Sequence, residues 1–403
     1  MTGFSTRDVS LMPRVAIVTR NAIHGGVETM IALHQKLFNA DVFVAGGQNS
    51  PETCPFTYRY IKADSKSSAR DKLRSAFETY DLIIYHWVPA WAIEAISGAH
   101  KPAIEVVHRT DTSDSDKSVP TLIVTHSEFL AEFIRQQYKR DVLVIGQAIE
   151  VEKFPESSLG PYIGAITSYY QTKGIDLFLI AWSKIYQRFT DVPVRFYGSG
   201  EELRHCQRMI AELGLHNVEL LAPVRYPERH LSEFRLFVQP SRIEGMPIAI
   251  LEALACNIPV LCSDLPGMVE FNRLAQQRGF EQPLLLARAE DADDLARVLA
   301  GWLSQQAQPI QTRDYIRQYY SVEPHSRAWW MAFGQALEKF AQLKAEPSFI
   351  ASPESGHTSM SQEIWSQLEV DQLRWLARQA YRLRNSRWYP LLRKVAKRLL
   401  IPR

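Results

Sequence analysis

Residues 240–264, PSRIEGMPIAILEALACNIPVLCSD, give the clearest indication of the fold and raise a question about one side chain. Between positions 247 and 256 every residue is apolar except Glu252. A carboxylate inside such a run is costly to bury unless something pairs with it. Apolar strand patterns flank the run, LFVQPS at 236–241 and PVLCSD at 259–264, so the pattern predicts a buried helix between two strands.

The same alternation of short apolar runs and helical patterns extends over most of the chain. It predicts an α/β protein in which parallel sheets are covered by helices on both faces. Strands are predicted at 14–19, 40–46, 81–87, 102–108, 121–127, 162–167, 192–200, 218–223, 236–241 and 259–264. Helices are predicted at 25–38, 70–79, 127–138, with Ser127 as the cap of its start, and at 174–189, 201–213 and 247–256.

The pattern pauses over 141–161, which divides the chain into two doubly wound domains that face a cleft. We expect one Rossmann-like domain over 1–155 and a second Rossmann-like domain over 156–345. Helices over 313–345, broken at Pro324, are candidates to return to the first domain. Residues 346–361 are predicted to be a linker, and 362–403 a basic amphipathic helical tail.

Composition restricts the classes of function. The 403 residues are 46% hydrophobic and 22% charged with a net charge of +2, typical of a soluble protein that is not a general polyanion binder. Four scattered cysteines without metal-ligand spacing favour a reducing compartment. The N-terminal segment lacks a secretory pattern, and the longest apolar window is too short to span a bilayer, so we expect a cytoplasmic location.

The residues around Glu244 and Glu252 suggest the chemistry of a ligand site. Glu244 lies in the loop before the predicted helix, where Gly245 lets the backbone approach a ligand and Pro247 opens the helix. Free N–H groups at a helix start suit a phosphate, and the carboxylate of Glu252 can accept two hydrogen bonds from a diol such as ribose. The alternative is a half-exposed Glu252 without a ligand.

The frame around these two glutamates resembles the signature of family-4 retaining glycosyltransferases of the GT-B fold, with its E-x7-E motif. Thirteen positions agree: Pro240, Ser241, Glu244, Gly245, Pro247, Leu251, Glu252, Ala253, Pro259, Val260, Ser263, Gly267 and Glu270. The resemblance implies that Glu244 contacts the donor sugar, that Glu252 binds the ribose, and that the backbone at Gly245, Met246 and Pro247 meets the donor. It covers the chain from about Val15 to about Leu343.

Other positions fit the resemblance. Gly25 and Gly26 in HGGVETM match the glycine-rich loop after the first strand, and Gly198 in YGSGEE matches a turn beside the nucleotide. His108, at a predicted strand end, matches a histidine that contacts the donor sugar. His86 lies at the end of another predicted strand, and for either histidine a structural role remains the alternative.

One departure concerns the diphosphate. The family places Gly-Arg and then Lys-Gly at the start of the second domain, and the two cations neutralise the diphosphate. This chain has IGAITSYYQTKG, which keeps Lys173 but has Ala165 where arginine is expected. A missing charge-stabilising group typically costs about 100- to 1000-fold in rate. Arg242 is one candidate substitute, although a surface role is the alternative for it.

Taken with the resemblance, these features predict a retaining enzyme that transfers sugar from a nucleotide-sugar donor to a glycan or lipid-linked acceptor. The resemblance implies that the domain over 1–155 binds the acceptor and that the domain over 156–345 binds the nucleotide sugar. Glu244, His108 and Lys173 are the catalytic candidates, and no cofactor or metal is expected. Asp111, Asp114 and Asp116 form an acidic loop better explained by solvation than by metal binding. The alternatives are a catalytically impaired nucleotide-sugar-binding or scaffold protein and an epimerase, and the two-glutamate frame disfavours the epimerase.

The segment 381–403 carries six arginines, two lysines and no acid, with apolar residues at helical spacing. This pattern predicts an interfacial helix on the inner face of an anionic membrane, and docking onto the protein itself or a second subunit is the alternative. A membrane location would favour a lipid-linked acceptor in envelope polysaccharide synthesis. No recognition motif supports nucleic-acid binding.

Overall fold

The structure, a computed structural model, describes residues 13–23, 25–110, 116–305 and 308–345. These residues form two parallel β-sheets with helices on both faces. The acidic loop 111–115, the predicted linker and the predicted basic tail lie outside the described residues.

The first sheet is built from residues before position 145. Its strands are β1 (Val15–Thr19), β2 (Asp41–Val44), β3 (Arg59–Tyr60), β4 (Leu82–His86), β5 (Ala103–Val106), β6 (Leu122–Thr125) and β7 (Val142–Val144). They pair in parallel in the order β3-β2-β1-β4-β5-β6-β7. The accompanying helices are α1 (Gly26–Phe38), α2 (Lys66–Ala76), α3 (Ala90–Gly98) and α4 (Glu128–Tyr138). Most of these strands are buried along their length, as expected when helices cover both faces of a sheet.

The second sheet begins at Tyr162 and repeats this winding. Its strands are β8 (Tyr162–Ile166), β9 (Val194–Tyr197), β10 (Val218–Leu221), β11 (Phe234–Gln239), β12 (Val260–Ser263) and β13 (Leu284–Ala287). They pair in the order β10-β9-β8-β11-β12-β13. The helices that follow are α5 (Ile175–Ile185), α6 (Leu203–Glu212), α7 (Ile248–Ala255), α8 (Pro266–Gln277), α9 (Ala292–Leu303), α10 (Arg313–Tyr319) and α11 (Val322–Ala345). Both strand orders are those of Rossmann-like sheets, which confirms the predicted fold class for the described residues.

The last two helices pack on different sheets. Tyr315 and Ile316 of α10 lie in the core of the second sheet. Trp329, Phe333 and Ala336 of α11 are buried in the core beneath β1 and β4 of the first sheet. The chain therefore crosses between the sheets twice, once after β7 and once between α10 and α11.

The predicted break at Pro324 is wrong. The helices separate at Tyr320 and Ser321, and α11 runs through Pro324 without interruption. Pro324 lies in the first turn of α11, where the backbone N–H that proline lacks has no intrahelical acceptor to bond. The Ser127 cap is confirmed, because its hydroxyl accepts a hydrogen bond from the N–H of Leu130 at the start of α4.

Within the described ranges, no helix combines the length and the apolar character needed to cross a bilayer. All four cysteines are free thiols.

Arg313 joins the crossover segment to the second domain. Its buried guanidinium donates to the carbonyls of Phe154, Ala255 (2.6 Å) and Val151 (3.2 Å). These bonds connect the turn after the first sheet to the end of α7, so Arg313 satisfies acceptors on both sides of the crossover.

We expect Arg313→Met to lower the free energy of unfolding by about 3 kcal/mol or more, because three carbonyls lose a charged donor. The control is Arg317→Met. Arg317 pairs with Glu152, as Arg313 does, but its side chain is 47% exposed, so its loss should cost less than about 1 kcal/mol. Urea titrations monitored by circular dichroism measure both. Equal losses in the two variants would contradict the role assigned to Arg313.

Candidate active site

Each sheet has a topological switch point, where the strand order reverses and the chain leaves neighbouring strands in opposite directions. In the first sheet this point lies between β1 and β4, and in the second between β8 and β11. Ligands of open α/β sheets bind outside the carboxyl ends of the strands at such points. The residues beyond these four strand ends are therefore the first place to look for a site.

Beyond β11, one oxygen of Glu244 is held by three donors. Its Oε1 accepts from Lys173 Nζ at 2.5 Å, from Ser241 Oγ at 3.0 Å and from Gln239 Nε2 at 3.1 Å. No described residue hydrogen-bonds to Oε2. The carboxylate is thus fixed through one oxygen, and the other is left to accept a hydrogen bond from a ligand hydroxyl.

Lys173 reaches Glu244 because a short turn beyond β8 is held in place by Arg242. The guanidinium of Arg242 donates to both carboxylate oxygens of Asp176, at 2.8 and 2.7 Å, and to the carbonyl of Gln171 at 2.7 Å. Its backbone N–H donates to Thr172. With its guanidinium bound in this way, Arg242 positions the turn that carries Lys173 and is not placed to replace the arginine missing at Ala165.

Glu252 is buried in α7 and its carboxylate makes no hydrogen bond to a described residue. Glu252 is only 9% exposed, so the alternative of a half-exposed glutamate is wrong. Burial, reinforced by the charge of Glu228, raises the pKa of Glu252 to about 7. The predicted helix 247–256 is present as α7, with Pro247 one position before its first residue. A buried carboxylate without a partner is costly, which is the property expected of a group that binds a ligand diol.

Gly245 lies where the two domains touch. A Cβ added to it would come within 2.3 Å of the carbonyl oxygen of His108, and one added to Gly267 within 2.4 Å of the carbonyl oxygen of Gly245. No larger residue fits at either position without movement of the backbone. The loop that carries Glu244 and the buried Met246 therefore packs directly against the end of β5 in the first domain.

His108 is the centre of a chain of buried histidines. His126 Nδ1 bonds to the carbonyl of Ile145 at 2.9 Å, His108 Nδ1 lies 3.2 Å from His126 Nε2, and His86 Nδ1 lies 2.8 Å from His108 Nε2. Burial lowers the pKa of all three, to about 4 for His126 and about 3 for His86.

The direction of each hydrogen bond in this row of histidines is fixed, because the rings are neutral and the carbonyl of Ile145 can only accept. His126 donates to Ile145, His108 donates to His126, and His86 donates to His108. Both ring nitrogens of His108 are therefore bonded to other histidines, so in this arrangement it has no free nitrogen for a donor sugar.

A second pair of histidines ends at the next carbonyl of the crossover segment. His325 Nδ1 bonds to Gly146 at 2.8 Å, and His34 Nε2 lies 2.9 Å from His325 Nε2. The same reasoning makes His325 the donor to Gly146 and His34 the donor to His325. Together, the row of three histidines and this second pair connect α1, the strand ends of the first sheet and α11 to the segment between the domains.

The glycines of the first domain have different surroundings. A Cβ on Gly26, the first residue of α1, would have no atom within 4 Å, so the space above this helix start is open. A Cβ on Gly25 would lie 2.6 Å from Glu28 Oε2. Glu28 is buried, and burial raises its pKa to about 7. His24 lies outside the described residues.

Gly198 lies at the end of β9, where a Cβ would come within 1.8 Å of the carbonyl oxygen of Thr167. This contact between two strand ends is by itself enough to require glycine at this position.

Several residues at this interface have no role that is evident from the sequence. Glu270 spans it, because its two carboxylate oxygens accept from the N–H groups of Glu128 (2.8 Å) and Phe129 (2.9 Å) at the start of α4. Glu270 was visible in the matched frame, yet its partner lies more than 140 residues away. The histidines at 34, 126 and 325 carry no local signal at all.

Comparisons with known proteins fit this architecture. The chain aligns with the crystal structure of an Anabaena protein, HepE, solved with UDP and glucose, at a TM-score of 0.68 and 15% identity; the match covers 80% of this chain and 99% of that one. This likeness establishes the fold, which is that of the two-domain GT-B proteins. Residues 160–305 match the family described as glycosyl transferases group 1.

Two curated relatives match shorter stretches. An uncharacterized glycosyltransferase of Methanocaldococcus jannaschii is 30% identical over 112 residues, 28% of this chain and 27% of the relative. The poly(ribitol-phosphate) alpha-N-acetylglucosaminyltransferase of Staphylococcus aureus is 23% identical over 154 residues, 38% of this chain and 31% of the relative. The chain thus matches less than a third of the length of each of these two relatives.

We expect Glu252→Gln to stabilise the protein at pH 8 but not near pH 4.5. The pKa of Glu252 in the folded protein, about 7, lies above its ordinary value of 4.5. The folded state therefore binds the proton more tightly, and stability falls as pH rises from about 4.5 to about 7. Glutamine removes this loss, and we expect a gain of roughly 1–3 kcal/mol at pH 8.

Urea titrations of wild type and variant at the two pH values give the difference. The buried histidines also destabilise the protein in acid, but they do so equally in wild type and variant. The difference in free energy of unfolding between the two proteins at each pH is therefore free of this contribution. Glu212→Gln, at an exposed position of α6, is the control and should show no gain. A Glu252→Gln gain that is the same at both pH values would argue against a charged, desolvated carboxylate.

Proposed function

We propose that this protein is a family-4 retaining glycosyltransferase that moves a sugar from a nucleotide-diphosphate donor to a glycan or lipid-linked acceptor. The observation that carries the proposal is the pair of glutamates at the second switch point. Glu244 is fixed through Oε1 with Oε2 available, and Glu252 is buried without a described partner. Two carboxylates with free acceptor capacity at one strand end suit two hydroxyl-bearing groups of one ligand.

The donor's sugar lies against Glu244 and its ribose against Glu252, with the diphosphate between them. The N–H groups at the start of α7 and the ammonium of Lys173 face the charge that develops when the diphosphate leaves. Transfer proceeds without a resident metal ion in this proposal. Gly245, Met246 and Pro247 provide the backbone beside the donor.

Retention follows from the proposed front-face route, in which the departing phosphate takes the proton of the attacking hydroxyl. No carboxylate is assigned as a nucleophile, because Glu244 is held by Lys173. The alpha linkage in the name of the Staphylococcus aureus relative supports this stereochemistry. His108 acts by shaping the cleft from beneath, through its carbonyl contact with Gly245.

The role of Lys173 can be tested by comparing the effects of two lysine substitutions on kcat. Lys173→Ala should lower kcat by about 100- to 1000-fold, because it removes the cation nearest the proposed leaving group. Lys184→Ala is the matched control, since Lys184 lies in the last turn of α5, pairs with Asp293 and has a side chain that is 41% exposed. Release of nucleoside diphosphate from a panel of UDP- and GDP-sugars, with proton NMR of the product anomer, measures rate and stereochemistry. An inverted product, or equal rates in both variants, would refute the mechanism.

A second candidate is a protein of the same fold that binds nucleotide sugars without turning them over. Ala165 is buried in β8, and Arg242 is committed to Asp176, so the described residues offer no evident substitute for the missing arginine at this switch point. Calorimetry distinguishes the two. Nucleotide-sugar binding by a protein that releases no product from any donor in the panel would favour the binding protein.

Nucleotide sugars are cytoplasmic metabolites, so the proposed site of action is the cytoplasm or the inner face of the membrane. The membrane part of this proposal depends on 381–403, which lie outside the described residues.

A further inference from the structure

Arg20 and Trp87 lie together at the switch point of the first sheet. Arg20 follows β1 and Trp87 follows β4, and these strands pair with Thr19 opposite His86, so the two residues continue from adjacent strand ends. The guanidinium carbon of Arg20 lies 5.1 Å from the centre of a Trp87 ring. The donor residues occupy the equivalent point of the second sheet, and no role has been assigned to this pair.

Trp87 has a backbone conformation that a large aromatic residue rarely adopts. Its φ is +37°, in the left-handed region, and 52% of the residue is exposed. Such a conformation costs about 1–3 kcal/mol and persists only where the surrounding structure imposes it. An isolated exposed aromatic residue is common, but one held outward by a strained backbone at a switch point indicates a binding surface.

Arg20 supplies a positive charge at the same place. It is exposed, and its guanidinium forms no ion pair with any described residue. Arg242, at the other switch point, is by contrast bound by a carboxylate. Arg20 is therefore available to a carboxylate or phosphate of a ligand, which a guanidinium binds through two parallel hydrogen bonds.

The surface formed by these two residues is close to the donor loop. His86, next to Trp87, bonds to His108, whose carbonyl touches Gly245 beside Glu244. The start of α1 at Gly26 is open on the same edge of the sheet. A ligand that rests on Trp87 thus lies at the edge of the first sheet that faces the proposed donor sugar.

We propose that Arg20 and Trp87 form the acceptor subsite and that the acceptor is a sugar bearing an anionic group, a carboxylate or a phosphate. The indole packs against the C–H face of the pyranose ring, and Arg20 binds the anionic substituent. This inference rests on the proposed transferase function, because that function makes the first domain the acceptor side.

The test is ligand binding by saturation-transfer NMR on the full chain, with three probes that differ in charge: methyl glucuronide, glucose 6-phosphate and neutral methyl glucoside. At least one charged sugar should bind about tenfold more tightly than methyl glucoside, as expected for a charge-assisted hydrogen-bonded pair. Whichever charged sugar binds more tightly identifies the substituent.

Two variants separate the roles of the residues. Arg20→Gln should bring the affinity for the charged sugars down to that for methyl glucoside. Trp87→Asn should weaken binding of all three sugars by about tenfold, and it keeps the fold because asparagine tolerates a positive φ. The matched control is Arg14→Gln: Arg14 lies 5.1 Å from the ring of Tyr80 but at the opposite end of β1, so its loss should change nothing.

Equal binding of all three sugars by wild type would overturn the anionic acceptor, and unchanged binding by Trp87→Asn would overturn the stacking surface. If Arg20→Gln weakens binding of UDP instead of the charged sugars, the arginine serves the donor and the proposal fails. These measurements need no turnover, so failure of this proposal, seen as no preference for charged sugars, is distinguishable from failure of the proposed function, seen as no release of product from any nucleotide sugar.

Discussion

The contact between Gly245 and the carbonyl of His108 is the constraint on which the candidate site depends. It places the loop that carries Glu244 against the carboxyl end of the first sheet, with no room for a side chain between them. Glu270 strengthens the same interface by accepting two N–H groups at the start of α4. This close approach keeps the residues beyond β11 next to the end of β5.

A network of buried, neutral histidines lies behind this contact. Histidines 34, 86, 108, 126 and 325 are buried, and burial lowers the pKa of each. Their hydrogen bonds end at two consecutive carbonyls of the crossover segment, Ile145 and Gly146. Since each ring is neutral and donates in one direction, the network fixes side-chain orientation without placing a charge beneath the cleft. Charge is instead concentrated at the second switch point, where the carboxylate of Glu244 lies beside the ammonium of Lys173.

The sequence predicted the sheets better than the site. Apolar runs bounded by turns gave most central strands, and the strand–helix alternation gave the parallel, doubly wound class. Short strands such as β3 and β7 were missed, because two or three residues at a sheet edge carry little hydrophobic pattern. The break expected at Pro324 was wrong, since a proline in the first turn of a helix is indistinguishable by pattern from one that ends a helix.

The sequence shows which residues lie close together along the chain, but it does not show which distant residues meet at the site. The spacing of Glu244 and Glu252 is local, so the sequence was enough to name both as candidates. The commitment of Arg242 to Asp176 and the enclosure of His108 by two other histidines depend on residues 18 to 66 positions away. Only the folded chain shows that Arg242 is occupied and that Trp87 is held outward with a positive φ.

The central claim is that the buried carboxylate of Glu252 binds the ribose diol of the donor nucleotide. Isothermal titration calorimetry with UDP and GDP, each compared with its 2′,3′-dideoxy form, tests it most directly. We expect the preferred ribonucleotide to bind at least about tenfold more tightly than its dideoxy form, and Glu252→Ala to abolish this difference. Equal affinity of the two forms for the wild-type protein would contradict it.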